Sequence, residues 1–246
     1  MLFIVCVLFP LAVRAAHPLI TEDTGTQGKG HFQLELTTEY GHRDEDFAAE
    51  HERLFAATFS HGLHDAVDII FAAPYQRISS DTSGSIETHS GISDAGLDIK
   101  WRFFEKDNFS LALKPGITFP TGNEAVGLGS GKSAYSLYLI TTLEPRPWAF
   151  HLHLGYRHNR NIADERENIW HASFGGWREF GEKLKIVGDI GANTNTDKSS
   201  NTETVFLIAG MIYAINQGFD LDIGIKKGLT NPETDYTLLG GITLRF

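Results

Sequence analysis

Polar and apolar residues alternate along most of this chain with a period of two. The stretch "HFQLELTTEYG" places Phe32, Leu34, Leu36, Thr38 and Tyr40 on one side and Gln33, Glu35, Thr37 and Glu39 on the other. A helix would scatter these residues around its axis, whereas a strand separates them onto two faces. The last residues behave alike: Tyr236, Leu238, Gly240, Ile242, Leu244 and Phe246 share one parity, and Thr237, Leu239, Gly241, Thr243 and Arg245 share the other. After the first strand the pattern recurs at about 51–61, 65–76, 94–104, 109–119, 134–143, 148–158, 168–179, 184–193, 203–215, 219–228 and 235–246. Turn signals separate these segments, which predicts twelve strands.

The connections alternate in length. Short ones fall at "HGLHD", "EKDN", "EPRP", "FGEK" and "NQG", and longer polar ones at "HRDEDFAAE", "RISSDTSGSIETHSG", "PTGNEAVGLGSGKS", "NRNIADERE", "TNTDKSSNTE" and "TNPETD". Short turns at one end and long loops at the other are the signature of an up-and-down transmembrane barrel. With the oily parity outward, aromatic residues sort by depth. Tyr40, Tyr75, Phe119, Tyr135, Tyr156, Trp170 and Tyr236 gather at the loop end. Phe32, Phe59, Trp101, Phe103, Trp148, Phe150, Phe180, Phe219 and Phe246 gather at the turn end, with aliphatic residues between. Amphipathic rings belong at headgroup level and aliphatic side chains in hydrocarbon. The expected fold is therefore all-β, a transmembrane antiparallel up-and-down β-barrel spanning residues 31–246, with outer-membrane lipid as its surroundings.

The ends of the chain refine this picture. "MLFIVCVLFPLAVRAAHP" carries an apolar core followed by small residues suited to signal-peptidase cleavage near Ala15 or Ala16, so residues 1–16 read as a signal peptide. The single cysteine, Cys6, lies within it, leaving no disulfide chemistry for the rest. Removal of residues 1–16 also removes Arg14 and moves the formal charge from −10 to about −11. Nucleic-acid binding needs a basic footprint, and none is present. Residues 17–30 are polar and glycine-rich and form either a periplasmic lead or a plug folded into the barrel. At the other terminus, the last strand must pair with the first, because an open sheet edge in lipid leaves backbone groups unsatisfied.

Three stretches carry a family resemblance: "HPLITEDTGTQGKGHFQLELTTEYG", "GISDAGLDIKWRFFE" and "LKPGITFPTGN". They resemble the outer-membrane transporters named after the meta-cleavage pathway of phenol degradation. The resemblance implies a barrel and passage of small or aromatic compounds, and it supplies no catalytic residues. By resemblance to outer-membrane proteins as a class, the terminal Tyr236, Leu244 and Phe246 form an assembly signal read by the barrel-assembly machinery.

The inward parity is where function is sought. Seven acids (Glu35, Glu39, Asp68, Asp98, Asp189, Asp220, Asp222) face seven bases (Lys100, Arg102, Lys114, Arg157, Lys185, Lys226, Arg245), so no strong ion preference is indicated. Strand adjacency predicts two clusters. Arg245 lies between Asp220 and Asp222 on one side and Glu35 on the other, while Lys100, Arg102 and Lys114 gather with Asp98 and Asp68. A narrow barrel also fills its interior with paired charges for stability alone. The 203–215 strand is apolar on both parities, with Val205, Leu207, Ala209, Met211 and Tyr213 on one and Phe206, Ile208, Gly210 and Ile212 on the other. The first set is expected as an apolar luminal stripe, serving as a track for hydrophobic solutes or as a packing surface for a plug. Pro74 and Pro115 are expected at bulges or kinks. Twelve strands about 4.7 Å apart and tilted near 40° give a backbone diameter of roughly 24 Å and an opening on the order of 10 Å.

Other motifs add little. "GLGSGKS" (127–133) lacks the first glycine of a phosphate-binding loop, with Val126 in its place, and no amphipathic helix follows. His151 and His153 share one inward face and are candidate transition-metal ligands, though plain luminal polar groups are the commoner use. His171 and Ser173 also share a face, but no nucleophile–base arrangement stands out from sequence, so no enzymatic activity and no cofactor are expected. The expected function is passive or facilitated uptake of small hydrophobic or aromatic solutes, with a structural or adhesive barrel and a lipase-type barrel enzyme as alternatives.

Overall fold

The computed structural model describes residues 17–45, 48–82 and 84–246. The signal-peptide reading of residues 1–16 lies outside the described residues. Thirteen strands follow in order: β1 (Phe32–Glu45), β2 (Ala48–His64), β3 (Val67–Thr82), β4 (Ser85–Ile92), β5 (Ala95–Lys106), β6 (Phe109–Phe119), β7 (Ala134–Leu143), β8 (Trp148–His158), β9 (Asn168–Phe180), β10 (Leu184–Asn193), β11 (Thr204–Asn216), β12 (Phe219–Gly228) and β13 (Tyr236–Arg245). Each pairs antiparallel with its neighbour, and β1 pairs with both β2 and β13, so the sheet closes on itself. β4 and β5 occupy one position in the wall. β3 pairs with β4 through Tyr75–Thr82 and with β5 through Val67–Ala72. The result is the expected twelve-stranded antiparallel barrel with one strand in two pieces.

The break in that strand has a local cause. Pro74 has no N–H to donate, and its carbonyl instead accepts from Ser93 N–H at 2.9 Å, where β4 gives way to β5. Pro115 marks a second interruption: the β5–β6 ladder steps from Asp98↔Gly116 to Trp101↔Leu113. The stretch 77–91, expected as a loop, is instead largely the upper part of the β3–β4 hairpin. With β1 at 14 residues, β2 at 17 and β3 at 16, against 10 for β7 and 11 for β8, the wall is tallest over its first four strands.

The faces follow the period-two pattern. Aromatics of both rings stand exposed on the outside, among them Tyr75, Tyr135 and Trp170 at the loop end and Phe59, Trp101, Trp148 and Phe180 at the turn end. Inside are buried Asp68, Lys100, His151, Asp189 and Asp222. Apolar residues also point inward. Ala149, Trp177, Val187 and Ile212 form one buried cluster, and Phe206, Ile208 and Leu239 another.

This placement corrects the expected luminal stripe. Leu207, Met211 and Tyr213 are 44–46 % exposed and stand on the lipid side together with Ala209 and Val205, whereas Phe206, Ile208 and Ile212 are buried inside. The reason is register. Ile208 pairs with Asp189 and Lys226, and Ile212 with Asp222, so the even positions of β11 share the polar inner face. A strand apolar on both parities carries no sign of which face is which; its neighbours decide.

The seam between first and last strands is closed to its final residue. Phe32 N–H donates to Phe246 O at 2.7 Å and Phe246 N–H to Phe32 O at 3.0 Å, with the two rings stacked at 5.9 Å. Tyr236 and Leu244 lie on the same outward face as Phe246.

Candidate functional site: the threaded lumen

Residues 17–27 run through the barrel interior. The polar lead has no apolar face of its own, so its backbone finds partners on the wall. It enters at the turn end, where Gly30 N–H donates to Gly62 O at 2.8 Å. Thr26 Oγ1 then donates to Asp65 O at 2.7 Å, and Gln27 N–H to both Asp68 carboxylate oxygens at 3.0 and 3.1 Å. Thr24 N–H donates to Thr142 Oγ1 at 3.0 Å. Further along, Asp189 accepts from Ile20 N–H, Thr21 N–H and Thr21 Oγ1 at 2.8, 2.7 and 2.6 Å. His17 reaches Asp222 on β12. The lead thus crosses from β3 past β5–β7 to β9–β10 and on to β12. Thr21, Asp23, Thr24 and Thr26 are all buried.

Its centre is electrostatic. Glu22 lies 3.0 Å from Lys100 Nζ and also bonds Lys114 Nζ, while Asp98 stands 3.6 Å from Lys114. Lys100 Nζ donates in addition to Asp23 O at 3.2 Å. Burial alone would raise the Glu22 carboxyl, but the Lys114 and Lys100 ammoniums hold it well below the usual carboxylate range. Leu19 packs on the Ala149, Trp177, Val187 and Ile212 cluster, so one inner apolar surface carries the lead.

Two glycines make room for it. Gly210 and Gly224 face each other across β11 and β12, and Pro18 lies against both; a Cβ on Gly224 would stand 2.8 Å from Pro18 Cγ. Gly224→Val is therefore expected to dislodge Pro18 while leaving the strand intact. Trypsin cleavage after Lys29 in folded, detergent-solubilised protein checks this: it should proceed at least about tenfold faster in the variant, and equal rates would show the lead unmoved.

The expected charged residues are redistributed by the lead. Arg245 Nη2 bonds Asp220 at 2.6 Å as expected, but its Nε–H goes to Gln33 Oε1 at 3.1 Å and Asp222 goes to His17. Glu35 sits opposite Thr243 and forms no salt bridge among the described residues, since Gln33 takes the guanidinium. Lys100, Lys114 and Asp98 do gather, around Glu22. Asp68 instead holds Gln27, and Arg102 turns to Glu105 at 3.1 Å and to Asp65 O. Sequence reasoning missed Glu22; its signal was an acidic Thr-Glu-Asp in a lead otherwise short of charge, beside two lysines on adjacent strands.

His151 and His153 face inward as expected. His151 Nδ1 bonds Thr142 Oγ1 at 2.9 Å and its ring lies 4.5 Å from that of Trp177. The His153 ring lies 4.6 Å from that of Tyr138 and 5.1 Å from that of His171. No group of three or more metal-ligating side chains is assembled among the described residues. At the loop end, Asp94 accepts from Gly122 N–H at 3.0 Å and from Ser130 N–H at 2.8 Å. The 127–133 stretch is thereby folded as a loop, with no helix behind it.

A closed antiparallel barrel with aromatic rings outside at two levels and a threaded interior is the architecture of outer-membrane β-barrel proteins. The chain belongs to the MetA-pathway of phenol degradation family, whose model matches residues 15–246. Among solved structures, the COG4313 outer membrane channel from Pseudomonas putida F1 superposes with a TM-score of 0.76 at 16 % identity, covering 91 % of this chain and 98 % of that one. The KdgM porin gives a TM-score of 0.58 at 8 % identity, covering 87 % and 99 %. The translocator domain of the autotransporter NalP from Neisseria meningitidis gives 0.57 at 9 % identity, covering 89 % of each chain. At these identities the likeness is one of fold. No curated protein matches the chain by sequence.

Proposed function

We propose that this protein is an outer-membrane channel for small hydrophobic or aromatic solutes, with residues 17–27 as a plug that must shift for passage. One observation carries the solute class: the inner wall bears Phe206 and Ile208 on β11 and Leu239 on β13, clustered from either side of β12, where a channel for hydrophilic solutes needs polar side chains. The seated lead and the Lys100–Glu22–Lys114 contact narrow the route for ions and sugars. Flux through it follows the solute gradient. The fold of the channels and porins it resembles, and the family's name, support this reading.

Liposomes test it. Protein-containing vesicles are expected to admit phenol-like solutes faster than empty ones. Ile208→Asp is expected to cut that entry by about fivefold or more, through the cost of a charge on the apolar inner face, while leaving sugar entry within about twofold. Replacement of the outward Leu207 by asparagine should leave solute discrimination unchanged. Equal entry of phenol-like solutes with and without protein would remove the transport reading.

A further inference from the structure

A hydrogen-bonded relay stands on the inner wall and is not used by the proposed function. His171 and Ser173 lie two apart on β9, so both point into the lumen, and Asn193 on β10 pairs in register with His171. Asn193 Oδ1 lies 2.7 Å from His171 Nδ1, and His171 Nε2 lies 2.9 Å from Ser173 Oγ. An amide oxygen only accepts, so Nδ1 carries the proton and Nε2 presents its lone pair to the serine hydroxyl. That is the tautomer a general base requires, with the third residue orienting the ring.

The surroundings fit an acyl-transfer centre. His153 is opposite Ser173 on β8, is 4 % exposed, and neither of its ring nitrogens has a hydrogen-bond partner among the described residues. A neutral imidazole in that position offers an N–H on the serine's own face to a developing oxyanion. Aromatic walls stand on either side. The Tyr138 ring is 6.1 Å from that of His171, and the position of a Cβ on Gly191 would touch both Phe206 Cζ, at 2.5 Å, and Ser173 Cβ, at 2.6 Å. With the lead seated, Thr21 Oγ1 lies 2.7 Å from Ser173 Oγ and covers it.

We infer that Ser173, His171 and Asn193 form a latent ester-hydrolysing centre for small aryl or alkyl carboxylic esters, capped by Thr21 until the lead is displaced. Ser173 Oγ attacks the ester carbonyl as its proton passes to His171 Nε2. The C–O bond to the alcohol breaks, and the alcohol leaves with that proton. Lumen water, deprotonated by the same nitrogen, then cleaves the acyl-serine, releasing the acid and restoring the hydroxyl. Asn193 acts as a positioning residue.

The test uses the full barrel in detergent, as wild type, Gly224→Val and Glu22→Gln, each folded by heat-modifiable mobility, with p-nitrophenyl butyrate and a fluorophosphonate. At least one lead-released variant should hydrolyse the ester about 100-fold faster than the same protein with Ser173→Ala, and fluorophosphonate should label Ser173. Asn193→Ala should lower kcat by about tenfold and move the acidic limb of its pH profile, and Asn193→Asp should restore both. If neither lead-released variant exceeds its Ser173→Ala counterpart, or if the label lands on another residue, the assignment is overturned. The channel reading is read from wild-type solute entry into liposomes and this assignment from the Ser173-dependent ester rate, so failure of one and failure of the other are distinguishable.

Discussion

In planar bilayers, Glu22→Gln is expected to raise single-channel conductance several-fold and to convert a mostly shut pore to one open for much of the time. Among the described residues Glu22 is the one carboxylate that touches both Lys100 and Lys114, and Lys100 is 3 % exposed. Removing its charge leaves a buried ammonium short of its counter-ion, which typically costs about 3–5 kcal/mol. Even about 3 kcal/mol shifts a seated-to-released equilibrium by roughly 100-fold. The lysines can recover solvent only if the lead leaves, so the cost falls on the seated state. Asp189→Asn should act in the same direction, because Asp189 takes two backbone N–H groups and a hydroxyl from the lead. The pH dependence has a defined sign. Glu22 has a lowered pKa when seated, so its contribution is full above the ordinary carboxylate range and is lost only as the pH falls below it. Acidification should therefore open wild type, and Glu22→Gln should respond less than wild type does. Identical conductance in wild type and both variants would show that the lead does not limit the pore.

Deletion of Phe246 is expected to reduce the folded, heat-modifiable fraction to below about a tenth of wild type. Both backbone groups of Phe246 exchange hydrogen bonds with Phe32, and its ring stacks on the Phe32 ring. The seam would lose two bonds at the edge of the hydrocarbon, where each unsatisfied group costs several kcal/mol. Phe246→Leu keeps the backbone pair and loses only the stacking, so it should fold to an intermediate extent. Gel mobility before and after heating measures both, and a deletion variant that folds like wild type would contradict the role of the seam.

The barrel was legible in the chain because period two and the depth of aromatics are local signals. Tyr135, Trp170, Trp101 and Phe180 announce both faces and both ends without any partner. The lumen was legible only in part. Asp220–Arg245 and Asp98–Lys114 follow from strand adjacency, since register fixes which charges meet. What the lead does to the rest was not legible, because residues 17–27 have no periodicity and their partners lie up to 205 positions away. Asp222 and Lys100 were therefore assigned to wall neighbours when they bind His17 and Glu22. The β11 stripe failed for a different reason: with both parities apolar, only the pairing of Ile208 with Asp189 and Lys226 distinguishes inside from outside. Likewise, His171 and Ser173 were visible as a pair, but Asn193 completes the relay through a cross-strand register that no short motif records.

The uneven height of the wall has a consequence for what meets the cell's exterior. From Tyr75 at the outer aromatic ring, β3 continues seven residues to Thr82 and returns through β4. At a rise of about 2.5 Å per residue along the barrel axis, this raises a paired flag roughly 17 Å above the lipid. Among the described residues its hydrogen bonds near the tip stay within the hairpin, Gly84 N–H to Asp81 Oδ1 and Ser79 Oγ with Thr88 Oγ1, so an antibody or an inserted epitope can engage the protein there without touching the lumen beneath.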